Sequence, residues 1–197
     1  MKKWGKICVI AVLAWLLALS TAAPAAMYVE ALLGGNTASS PAAGTPAVIG
    51  GGRVGLWFVN EGALALEYPK WMKYLGFYTD ITINGMRVNR EQFQDANGYV
   101  AAWAFMFAAR CGFLKNKEVP FGRLQPYVGV GPAIVNVAIP TPAGENSVFT
   151  PGLVMDAGVR YMFNQRFSAD LFFRYRYAQP NFTYNFFSGI LGIAYHF

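Results

Sequence analysis

Taken in steps of two, eight stretches of this chain alternate between apolar side chains and small or polar ones. They cover residues 27–34, 48–58, 74–84, 99–110, 124–137, 149–162, 167–177 and 185–197. Period-two alternation is the signature of a β-strand with one apolar face. In the seventh stretch Ala169, Leu171, Phe173, Tyr175 and Tyr177 share one face, while Ser168, Asp170, Phe172, Arg174 and Arg176 share the other. The sixth sets Leu153, Met155, Ala157, Val159 and Tyr161 against Asp156, Gly158 and Arg160. The third opposes Leu75, Phe77, Ile81 and Ile83 to Gly76, Tyr78, Asp80, Thr82 and Asn84. Turn-rich connections predicted at 35–47, 85–98, 138–148 and 178–184 would emerge on one side. Those at 59–73, 111–123 and 163–166 would emerge on the other.

The charges decide which face looks where. Glu30, Arg53, Asp80, Arg110, Asp156, Arg160, Asp170, Arg174 and Arg176 all fall on the face opposite the apolar one. Over half of the residues are apolar, yet past residue 25 no apolar run has the length of a spanning helix. A strand array of this kind fits a bilayer, where backbone polar groups must be satisfied internally and only helices or closed barrels span. An Arg or Lys pointing at lipid costs about 2–4 kcal/mol at the midplane. That is a large share of a domain's net stability of about 5–15 kcal/mol. The ionic face therefore belongs inside. A soluble barrel would reverse the arrangement, greasy within and charged without. The predicted fold class is all-β: an eight-stranded antiparallel up-and-down transmembrane β-barrel.

Two positions test the pattern. Lys73 has lipid-facing parity and is placed just outside the third strand, where a lysine can snorkel to the interface. In the fifth strand Gln125, Tyr127, Gly129 and Gly131 alternate with Val128, Val130 and Ile134, but Pro126 and Pro132 interrupt. Proline withholds a ladder donor and marks strand starts or bulges, which leaves the parity beyond Pro132 open to a flip.

Eight strands enclose an interior just wide enough for side chains to fill it. The nine inward charges nearly balance, four acids against five arginines. Ions in such a space must be paired to offset desolvation. The expectation is a salt-bridge network that plugs the lumen, with Asp156, Arg160, Asp170 and Arg174 at its centre. The alternative is that the same charges line a narrow channel. Aromatic residues bunch toward the strand ends, with Phe58, Phe107, Tyr161, Phe163, Phe167, Tyr195 and Phe197 at one side and Tyr99, Phe149, Tyr177 and Phe187 at the other. Two belts of rings are expected where hydrocarbon meets headgroups.

The amino terminus points to export. Lys2, Lys3 and Lys6 precede an apolar run over residues 7–19 and a small-residue stretch with an Ala23-Pro24-Ala25 pattern. This reads as a signal peptide over residues 1–25, with the barrel as residues 26–197. Losing those three lysines lowers the formal charge from +6 to +3. The remaining basic residues are scattered, which argues against nucleic-acid binding. Only Cys111 would remain of two cysteines, so no internal disulfide is expected. With one His and one Cys no His/Cys metal cluster is expected, nor is any cofactor. Gly129-Val130-Gly131 lacks the third glycine and following helix of a dinucleotide loop.

The Gln125-Pro126-Tyr127-Val128-Gly129-Val130-Gly131-Pro132 segment, the alternating strands and the terminal Tyr195-His196-Phe197 resemble the small bacterial outer-membrane β-barrel superfamily, which includes the OmpA transmembrane domain, OmpX and OmpW. The resemblance implies location in the bacterial outer membrane, surrounded by its lipid and lipopolysaccharide. It implies that the barrel assembly machinery reads the closing strand, with Tyr195 and Phe197 as the signal. It also implies a non-enzymatic monomer that meets a surface ligand through the connections at 35–47 and 85–98. A hydrophobic-solute pore of the OmpW kind is the competing reading. No cell-wall-binding domain is expected after the last strand. Enzymes of this architecture resemble one another in using a catalytic His. Here the sole His is His196, and Ser188, eight residues away on its own strand, lies beyond reach at about 3.3 Å per residue.

Overall fold

Backbone pairing in the computed structural model closes eight strands into a barrel in sequence order, each antiparallel to its neighbours. They are β1 (Met27–Ser39), β2 (Ala47–Trp57), β3 (Leu75–Arg90), β4 (Phe93–Arg110), β5 (Leu124–Thr141), β6 (Gly144–Met162), β7 (Phe167–Ala178) and β8 (Tyr184–His196). The structure describes residues 27–39, 46–58, 69–90, 93–141, 144–179 and 183–197. The expected export segment lies outside those residues, as do most of the connection at 59–73, at the end of the barrel that holds the start of β1 and the close of β8 (the inner end), and the middle of that at 35–47, at the opposite (outer) end. No described helix is long and apolar enough to cross a membrane. The span is made by strands.

Parity along each strand sorts the side chains as the alternation predicts. On β7, Ser168, Asp170, Phe172, Arg174 and Arg176 are buried, whereas Leu171 and Phe173 are exposed on the outer wall. On β8, Phe186, Ser188, Ile190, Ala194 and His196 are buried, while Leu191 and Ile193 project outward. All nine strand charges named above lie inside, none more than 8% exposed. The outer wall is left as a charge-free apolar band among the described side chains of the strands, the surface that hydrocarbon accepts.

Pro132 does not flip β5. Gln125, Tyr127, Ala133, Val135 and Val137 are buried on one continuous face, and Val128, Val130 and Ile134 are exposed on the other. The β4–β5 ladder runs from Tyr99↔Ala138 to Ala104↔Ala133, then resumes in the same register at Phe107↔Val130. The missing donor of Pro132 interrupts the ladder locally, but no residue is added, so the faces stay in phase. Across the other seam, β5 pairs with β6 without a break from Leu124↔Tyr161 to Thr141↔Gly144.

The outer connections are shorter than the sequence suggests. Strand pairing carries β1 through Ser39, β3 and β4 through most of 85–98, and β5 and β6 through most of 138–148. These segments are polar or rich in Gly and Pro, so they carry no apolar alternation. They extend because a ladder already begun supplies partners for their backbone groups. Lys73 lies in a short 3-10 turn, Lys70–Tyr74, directly before β3. The chain closes on itself from Tyr28↔His196 to Ser39↔Asn185, and Phe197 N–H donates to the Met27 carbonyl at 3.0 Å.

Rings gather at both strand ends. On the inner side Tyr161 and Phe163 lie 5.5 Å apart between centroids, and Tyr195 is 5.2 Å from both Phe167 and Phe197. On the outer side Phe187 packs on Tyr175 at 5.4 Å.

Candidate functional site

Register assembles the interior before any side chain bends. Glu30, Arg53 and Asp80 lie side by side on β1, β2 and β3. On the facing wall Asp156 pairs with Arg174, and Arg160 with Asp170, across β6 and β7. The first wall alone carries one carboxylate too many and the second is balanced; the two interlock across the lumen through Arg53–Asp156, Arg160–Glu30 and Arg174–Asp80.

Arg53 is the hub. Its Nη1 reaches Glu30 Oε2 at 3.3 Å, its Nε reaches Asp80 Oδ2 at 3.4 Å and its Nη2 reaches Asp156 Oδ2 at 3.1 Å. Asp170 Oδ2 stands 3.6 Å from Nη1. One guanidinium thus meets all four inward carboxylates. Its plane lies between the rings of Tyr78 and Phe172, 4.1 and 4.4 Å from their centroids. Arg174 bridges Asp80 and Asp156 with four hydrogen bonds of 2.6 to 2.8 Å. Arg160 Nη2 donates to Glu30 at 3.0 Å and to Asp170 at 2.9 Å. Tyr78 donates its hydroxyl to Asp156 at 2.7 Å, and Tyr127 to Asp170 at 3.0 Å. Charge-assisted bonds of this density are what a desolvated ion cluster requires.

The expected centre of Asp156, Arg160, Asp170 and Arg174 takes part in the network: Arg160 meets Glu30 and Asp170, Arg174 meets Asp80 and Asp156, and the guanidinium that meets all four carboxylates is that of Arg53, on β2. Its role depends on its reach across the lumen, which no spacing along one strand reveals. Two of the nine charges stand apart. Arg110 donates to Gln125 Oε1 at 2.8 Å and stacks on Trp57 and Phe121. Arg176 donates to Thr82 Oγ1 at 2.9 Å and to Asn84 Oδ1 at 3.3 Å. Neither forms an ion pair among the described residues. They sit toward opposite ends of the cylinder and cap the cluster with neutral acceptors. The cluster between them holds four carboxylates and three guanidiniums.

Inward glycines make room for this packing. A side-chain carbon at Gly129 would come 2.6 Å from the Tyr78 hydroxyl, and one at Gly55 would collide with the Tyr28 ring. Tyr28 in turn lies under the Arg160 guanidinium at 4.1 Å.

His196 has a partner that spacing along β8 does not reveal. Ser168, on the adjoining β7, places its Oγ 2.8 Å from His196 Nε2. Both residues are buried, and the imidazole stacks against Tyr28 at 5.4 Å. Among the described residues no carboxylate bonds to the imidazole, the third group by which a catalytic base is oriented. Among the described residues no group of His, Cys, Asp and Glu has the arrangement of a metal site. Cys111 is a free, exposed thiol in the inner turn after β4.

The sequence matches no protein-family model and no curated protein. Solved structures do match. Neisserial surface protein A superposes with a TM-score of 0.65 at 15% identity, covering 87% of this chain and 97% of that one. Ail, the attachment invasion locus protein of Yersinia pestis, superposes at 0.55 with 11% identity, covering 88% of this chain and 100% of that one. A second structure of Ail, in complex with the heparin analogue sucrose octasulfate, matches at 0.50 and 13%, covering 87% and 99%. Closure, strand number, inward charge and these superpositions converge: the chain has the fold of the small eight-stranded β-barrels of the bacterial outer membrane.

Proposed function

We propose that this protein is a non-enzymatic structural and interaction barrel of the bacterial outer membrane, with a lumen plugged by its own ions. The observation that carries the reading is the contact of Arg53 with carboxylates from β1, β3, β6 and β7, which ties opposite walls together at one level. A solute would have to break several charge-assisted bonds in a low-dielectric interior to pass. Planar-bilayer recording of the purified protein tests this: silence or rare flicker is expected. Large, steady conductance would instead support the narrow channel or hydrophobic-solute pore.

Contact with the outside world is assigned to the outer hairpins at 35–47 and 85–98, toward lipopolysaccharide or another surface ligand. Ail, a barrel of the same fold, is known in complex with the heparin analogue sucrose octasulfate, which supports a ligand-binding role for a barrel of this kind. Trimming both hairpins to tight turns should abolish binding of purified lipopolysaccharide while leaving the barrel folded. Residues 1–25 act as the cleaved export signal, and Tyr195 and Phe197 as the mark read by the barrel assembly machinery. Mass spectrometry of the mature amino terminus and membrane insertion of the Phe197→Ser variant check these two assignments. The ordinary state is a monomer.

A further inference from the structure

We infer that the outer wall holds one anionic glycerophospholipid of the inner leaflet, with an acyl chain in a trough across β3–β6 and its phosphate on lysines of the adjoining turns. The trough has a volume of about 600 Å³ and is lined by Leu75, Phe107, Ala109, Val128, Val130 and Met155. Its origin is a change of side-chain size. The outward residues of β4 run Trp103, Phe105, Phe107 and then Ala109, and register places that methyl group between Leu75 and Val128. A depression on a lipid-facing wall leaves its lining short of dispersion contacts until a chain settles in it.

Any bilayer lipid could graze such a surface; the charge at its inner end selects one. Leu75, which lines the trough, directly follows the Lys70–Tyr74 turn. That turn carries Lys70 and Lys73 beside Trp71 and Tyr74, which are 60% and 42% exposed. Aromatic rings at this level anchor in the headgroup layer. Tyr74 packs on Phe121 at 5.9 Å, which brings the second inner turn, with Lys115 and Lys117, alongside. Among the described residues of these two turns Glu118 is the sole carboxylate, and it is paired with Arg123 at 3.0 Å. Glu61 and Glu67 lie in the stretch outside the described residues. Four lysines thus lie on the two inner turns without a described acid of their own, next to an apolar trough. Phosphatidylethanolamine carries its own ammonium and satisfies them poorly. A lipid with net negative charge, such as phosphatidylglycerol, satisfies them well.

The test uses the protein extracted from membranes and reconstituted in bilayers of equal parts phosphatidylethanolamine and phosphatidylglycerol, with retained lipid read by native mass spectrometry. The expected result is one tightly held phosphatidylglycerol, enriched about tenfold over phosphatidylethanolamine. Lys70→Gln with Lys73→Gln should bring the ratio down to about that of the bulk bilayer, and the Arg pair should restore it. Ala109→Phe should fill the trough and release the lipid. Heat-shifted gel mobility confirms that each variant is folded. Equal retention of both lipids, or enrichment unchanged by the Gln pair, would overturn the inference. So would efficient cross-linking of Ala109→Cys between two copies, which would make the trough a contact between barrels. None of these outcomes depends on whether the lumen conducts.

Discussion

Asp80 and Arg174 face each other from β3 and β7, opposite walls of an eight-stranded cylinder, and meet through two parallel bonds of 2.8 and 2.6 Å. A paired fork of this kind is a strut across the lumen, directional as well as strong. Truncating the arginine leaves two buried carboxylates, Asp80 and Asp156, to share Arg53 at longer range. Arg174→Met should cost about 3–5 kcal/mol, read as a shifted urea midpoint in lipid vesicles. The double variant Asp80→Asn, Arg174→Met should recover part of that loss. A single-variant cost below about 1 kcal/mol would mean the strut carries little.

On the proposed plug, Arg53 is the side chain whose loss should raise permeability most. Arg53→Ala removes the shared partner of Glu30, Asp80, Asp156 and Asp170, and their mutual repulsion favours entry of water and cations. Single-channel recording should then show cation-selective openings absent from the parent protein. A silent Arg53→Ala variant that still folds would mean the aromatic layer of Tyr78 and Phe172, not the ions, seals the passage.

The outer wall should discriminate by parity alone. Leu171→Arg places a guanidinium on the exposed face of β7 and should destabilise by about 2–4 kcal/mol near the bilayer midplane. Ile81→Arg on β3 should behave likewise. Equilibrium unfolding in vesicles measures both. Neutral outcomes at both sites would place this surface outside hydrocarbon.

Ser168 and His196 should prove structural. Ser168 is 0% exposed, so a serine-directed fluorophosphonate should leave it unlabelled in the folded protein. Ser168→Ala should cost about 1 kcal/mol, the worth of one hydrogen bond with some orphaning of the imidazole. Ester hydrolysis lost with Ser168→Ala would reverse this assignment.

The alternation was legible because one physical rule acts on every strand residue independently. Each side chain of β7 faces lipid or lumen by its own parity, and a charge on the wrong face is costly whatever its neighbours are. The strand limits of β2, β7 and β8 follow closely for the same reason. The outer parts of β3 to β6 did not announce themselves, because a hairpin standing beyond the hydrocarbon has no need of an apolar face. Pro132 raised a parity question that only pairing on both sides could answer. Within the lumen, neighbours in register such as Asp156 and Arg174 were readable once strands were aligned. Contacts between opposite walls, Arg53 with Asp156 above all, require the stagger and curvature of the closed sheet. The Ser168–His196 pair was hidden similarly, since it joins two strands at a diagonal.

The seam between β1 and β8 has a consequence for lifetime. A sheet with a free border can fray from that border inward, losing one row of bonds at a time. Here the first strand is stitched to the last along its length, down to the terminal Phe197 amide. Unravelling has nowhere to begin, so rupture must break two seams together in a medium that offers no substitute donors. Persistence of the protein should accordingly be set by the height of a barrier rather than by the depth of a well.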